Sequence, residues 1–91
     1  MIKTYIKLPI PVKVCKYTGD NYQFIIDWSK TMSDSLVYTP ITGDENGIGV
    51  HTLEGTMRPK IGDYVVQGPE GEFWFVNGPI FEKTYQEIED E

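Results

Sequence analysis

The sequence predicts an α+β fold: a small curled antiparallel sheet of five to six strands, one helix packed on it, and a short second helix near residue 85. Three observations carry this. Short β-branched and aromatic runs recur between Gly- and Pro-bearing turns through the last two thirds of the chain. One segment around Ile25 instead spaces its apolar residues with a helical period. The order, a strand, a helix, then strands joined by short turns, gives a meander with one helix over it. The 91 residues fit one domain, taken as 1–91.

Residues 1–9 set Ile2, Tyr5, Ile6 and Leu8 among polar neighbours, which reads as an edge strand or an extended arm. Pro9 and Pro11 keep Ile10 out of a central strand, because proline offers no ladder donor. Val12 to Tyr17 alternates and reads as the first core strand, with Val12 and Val14 facing one way and Lys13 and Cys15 the other. Asp20 follows a break at Thr18-Gly19 and is the expected helix N-cap. The helix should run from Asn21 to Lys30, with Phe24, Ile25 and Trp28 on one stripe and Tyr22, Ile25 and Ile26 on a second.

Leu36 to Thr39 reads as a strand, Pro40 to Gly47 as a polar connection, and Ile48 to Leu53 as a strand. Glu54-Gly55 is a hairpin signal, and Thr56 to Arg58 returns from it. Tyr64–Gln67 and Glu72–Val76 should pair across the Gly68-Pro69-Glu70-Gly71 turn. Gly78-Pro79 breaks the chain, and Ile80 to Ile88 places Phe81, Tyr85 and Ile88 at helical spacing.

Composition narrows the function. Cys15 is the single cysteine, so no intramolecular disulfide forms, and the reducing cytoplasm is the expected compartment. No signal peptide is apparent, and no apolar run approaches the roughly 20 residues of a membrane-spanning helix. Residues 1–30 carry a balance of +3 and residues 31–91 a balance of −9, which together make the net −6. That acidic remainder weighs against direct binding to nucleic-acid backbone, which needs clustered Lys and Arg. It suits a basic protein surface, or a small anion held by local lysines.

No residue pattern carries catalysis or holds a cofactor or metal. His51, the only histidine, lacks a nucleophile beside it, since Thr52 on the same strand faces the other way. Lys13 and Lys16 flank Cys15 and would lower a thiol pKa, but a lone strand cysteine is ordinarily a small core hydrophobe. One cysteine and one histidine are too few soft ligands for zinc. Asp44, Glu45 and Asn46 lack the ligand spacing of a calcium loop. The aromatics are more informative. If Phe73 and Phe75 fill the core, Trp74 lies on the opposite face, alongside Tyr64, either open to a partner or covered by the first residues or the last helix.

The stretch from His51 to Ile88 resembles a family of small proteins encoded by bacteriophages and prophages. The resemblance rests on Thr52-Leu53-Glu54-Gly55, Gly62-Asp63-Tyr64, Gly68, Gly71-Glu72-Phe73 and Ile80-Phe81-Glu82-Lys83-Thr84-Tyr85. Residues 9–21 match more weakly. The family usually has Trp where Tyr17 stands and Pro where Ile61 stands, and a lysine-bearing stretch where this chain runs Trp74 to Pro79. The resemblance implies phage origin and brings no agreed activity or catalytic residues. Small phage accessory proteins often oppose host defences, so the expected function is stoichiometric binding of a host protein, without catalysis.

Two further readings stand beside it: sequestration of a small nucleotide signal, and a minor virion component. The candidate binding residues are Glu70, Glu72 and Glu82 for a basic protein surface, and Lys13, Lys16 and Trp74, with Tyr64 beside it, for a stacked nucleotide. Self-association into a homo-oligomer is a third partner class.

Overall fold

The computed structural model describes residues 1–31, 41–44, 47–52 and 55–88. Among these described residues are six strands and two helices: β1 (Lys13–Lys16), α1 (Tyr22–Thr31), β2 (Ile41–Asp44), β3 (Gly47–Thr52), β4 (Gly55–Met57), β5 (Tyr64–Gln67), β6 (Phe73–Val76) and α2 (Gly78–Thr84). The fold is α+β, with a helix packed on antiparallel strands. The strands divide into two three-stranded sheets, β1-β5-β6 (sheet A) and β2-β3-β4 (sheet B). The expected strand at Leu36–Thr39 and the hairpin tip at Glu54 lie outside the described residues.

The core sits between α1 and the inner faces of the two sheets, which meet where β3 lies against β6. Ile25, Ile41, Val50 and Val65 are fully buried there. Burial of each such side chain contributes roughly 1.5–3 kcal/mol. Trp28 meets Phe73 edge to face, with ring centroids 5.2 Å apart. The helix buries Ile25, Ile26 and Ser29, while Phe24 is exposed. Phe24 therefore leaves the expected stripe: each residue turns 100° around the axis, and the face carrying 25, 26 and 29 turns 24 outward. Buried Ser29 stays satisfied by donating to the Ile26 carbonyl at 2.7 Å.

Three other expectations shift. The helix begins at Tyr22, so Asn21, one residue beyond the expected Asp20, flanks it. Asn21's carbonyl accepts from Ile25 N–H at 3.2 Å, and its side chain accepts from Thr18 N–H and donates to the Lys16 carbonyl. Asp20 instead accepts from the Thr18 hydroxyl at 2.6 Å. The segment read as a polar connection contains β2, held by pairing Ile41 with Val50 and Thr42 with Gly49. The alternation expected in β1 holds, with Cys15 packed against the core and Val14 facing out, 36% exposed. Gly78-Pro79 opens α2 and does not break the chain: proline suits the first turn, where its missing N–H has no intrahelical acceptor. The Asn77 side chain caps it by accepting from Ile80 N–H at 3.3 Å.

Asp63 fixes α2 to the sheet. It is buried, and its carboxylate accepts from Lys60 N–H at 2.9 Å and Gly78 N–H at 3.2 Å. Gly62 before it takes a φ of +100°, which glycine adopts freely. A Cβ at Gly78 would collide with the Gly62 carbonyl, so the helix start and the turn before β5 touch backbone to backbone.

Candidate functional site: the outer face of sheet A

Alternation along paired strands divides sheet A into two faces. The register matches Lys16 with Tyr64, Val14 with Val66, Tyr64 with Val76 and Val66 with Trp74. These residues share the face turned away from α1. Phe73 and Phe75 take the inner face, packed on or in the core. Trp74 therefore opposes its two neighbours and shares its face with Tyr64.

Two structures cover this outer face. The first is an aromatic run. Tyr64 stacks on Phe81 with centroids 4.0 Å apart, and Phe81 stacks on Tyr85 at 4.4 Å. A lysine closes each end, Lys16 Nζ at 5.7 Å from the Tyr64 ring centre and Lys7 Nζ at 5.6 Å from that of Tyr85. Tyr64 also donates its phenol proton to Glu82 Oε2 at 3.1 Å. Desolvation, that hydrogen bond and the adjacent carboxylate charge together raise the Tyr64 pKa above its ordinary value. Tyr64, Phe81, Glu82 and Tyr85 come from the Gly-Asp-Tyr and Ile-Phe-Glu-Lys-Thr-Tyr segments, so two stretches apart in sequence meet here and pin α2 to the sheet.

The second is a groove of about 260 Å³ lined by Lys7, Leu8, Ile10, Val12, Pro69 and Trp74. Trp74 is half-buried along it. Its lining is apolar save for Lys7. Its volume falls below the roughly 300–1,000 Å³ of small-molecule pockets, and matches one or two side chains better than a nucleotide.

The candidate residues fall into three places. Lys16, Tyr64 and Glu82 come together on the aromatic run. Glu70 and Glu72 sit on the β5–β6 turn, beside Pro69 of the groove wall; Glu70 is exposed, and Glu72 braces the turn by accepting Glu70 N–H at 3.1 Å. Lys13 stands apart: it pairs with Gln67, on the face opposite Lys16. The two lysines therefore do not converge on one anion, and the rings of the run are stacked on one another.

Burial raises the Cys15 thiol pKa, which keeps it protonated at neutral pH. His51 bridges strands of sheet B, with Thr42 Oγ1 at 2.9 Å from Nε2 and Thr56 Oγ1 at 2.9 Å from Nδ1. Among the described residues no cluster of three or more His, Cys, Asp or Glu side chains is arranged to hold a metal ion, and no helix is long and apolar enough to cross a membrane.

Sequence reasoning missed Lys7, Asp63 and the groove wall formed by Leu8, Ile10 and Val12. Phe81 and Tyr85 did carry a signal, since residues four apart share a helix face. No known protein family matches this sequence, and no curated protein or solved structure is significantly similar to it.

Proposed function

We propose that this chain is a phage-encoded accessory protein that counters a host defence by binding a host protein stoichiometrically, without catalysis. The resemblance of residues 51–88 to phage-encoded proteins supports the origin. The observation that carries the binding mode is the balance of −9 over residues 31–91, with few of the described carboxylates paired to a cationic side chain. Among the described acidic side chains only Asp63 is buried, and the one ion pair among the described residues joins Arg58 to Asp44 at 3.1 Å. Exposed carboxylates of one sign steer and orient a basic partner surface. The separation of Lys13 from Lys16 and the small apolar groove favour a protein partner over a nucleotide.

The test is capture from host lysate by the full chain, followed by titration of the retained protein. Glu70→Lys with Glu87→Lys, which reverses two exposed carboxylates, should weaken that complex at least tenfold, and raised salt should weaken the wild-type complex. Trp74→Ala should leave it within about threefold. Retention of a small nucleotide in place of a protein, or a complex indifferent to charge reversal and salt, overturns the reading. A fixed copy number in purified particles would mark a virion component.

A further inference from the structure

Residues 1–12 expose more apolar surface than a covering strap needs to. Leu8 and Ile10 wall the groove beside Trp74 yet remain 69% and 53% exposed, and farther along Ile2 and Ile6 stand 98% and 90% exposed. Ile2 and Ile6 lie four residues apart in the run before Pro9, where Ile10 N–H donates to the Leu8 carbonyl at 2.8 Å and turns the chain along the groove. One segment therefore carries both an open apolar groove wall and free aliphatic side chains of a size to fill that groove. A surface that is donor and acceptor at once is self-complementary, which is the requirement of a twofold interface.

Charge points to the same occupant. Residues 1–16 hold four lysines and no acidic residue, whereas residues 17–91 hold four basic and fourteen acidic residues. Two acidic bodies repel, but a basic arm reaching onto a neighbouring acidic body is attracted. We propose that the chain forms a twofold dimer in which the arm of each copy crosses the outer face of sheet A of the other, with Ile2 and Ile6 seated in the groove beside Trp74. The acidic surfaces away from the groove stay open to a further partner.

Sedimentation equilibrium on the full chain tests this. The apparent mass should rise from 10.4 kDa toward twice that value as concentration increases, and raised salt should weaken the association. Ile2→Ser and Ile6→Ser should each raise the dissociation constant by about a hundredfold, because each substitution returns two buried aliphatic side chains to water, one per copy, at about tenfold apiece. Both side chains are exposed in the single chain, so the double variant should keep its far-UV circular dichroism and, measured dilute, its unfolding midpoint. A 10.4 kDa particle up to millimolar concentration overturns the proposal. So does a dimer whose dissociation constant ignores the double substitution. Monomeric wild type whose arm variants lose a captured host protein would assign the arm to that partner and overturn the dimer.

Discussion

The two faces of sheet A are built from the same three strands and finished in opposite ways. The inner face is closed by α1 and sheet B: Val65 is fully buried, Phe73 is 6% exposed, and Trp28 meets Phe73 edge to face. The outer face is covered by a stacked aromatic run and a loosely laid arm, and Trp74 there stays half-buried beside a groove. A strand period of two supplies both surfaces, but only one has a continuous apolar element to close it. The contrast separates residues that make the fold from residues left to meet something else.

The sharpest way to break the comparison is a truncation on the inner face. Phe73→Ala should cost about 3–5 kcal/mol in chemical denaturation, because it opens a cavity beneath α1. Asp63→Ala comes next, at roughly 2–3 kcal/mol, since it strands the buried Gly78 N–H and releases that of Lys60. Asp63→Asn keeps one acceptor oxygen and should recover part of that loss. On the outer face Trp74→Ala should cost only about 1 kcal/mol. A cost there equal to that of Phe73→Ala would show that both faces are structural.

The smallest effect is a titration. Tyr64 holds its proton above the ordinary phenol value of 10.0 because it is desolvated and donates to Glu82. The stability of that contact is complete below the unfolded pKa and is lost as pH rises through the raised folded value. Glu82→Gln should move the Tyr64 pKa, followed by its ring resonances in NMR, back toward the ordinary value. An unchanged titration would remove Glu82 from the account.

Much of the fold was legible where apolar side chains decide locally. Tyr64–Gln67 and the run ending at Val76 stood out as apolar strands around a turn, and their alternation placed Trp74 opposite Phe73 and Phe75. β2 was not legible, because Ile-Thr-Gly-Asp holds one large apolar residue and owes its form to pairing with β3. Val14 and Cys15 alternate equally well in either orientation, and packing against the core chooses Cys15. Gly-Pro both ends and begins helices, and only the Asn77 cap and the Asp63 anchor show which applies here. Of the candidate site, period alone placed Trp74 opposite Phe73 and Phe75, while its sharing a face with Tyr64 depends on the Gln67–Phe73 register of the hairpin. Lys7 could not be placed, since it meets Tyr85 across 78 positions with no local pattern linking them.

The most direct measurement is NMR of the two indole N–H groups in the presence of a soluble paramagnetic reagent, at rising protein concentration. Trp28, half-buried on the inner face against Phe73, should keep the same protection at every concentration. Trp74 should broaden in dilute solution and gain protection as the chain associates. Trp74 protection that stays constant as concentration rises would contradict the account, because the outer face would then gain no cover from a second copy.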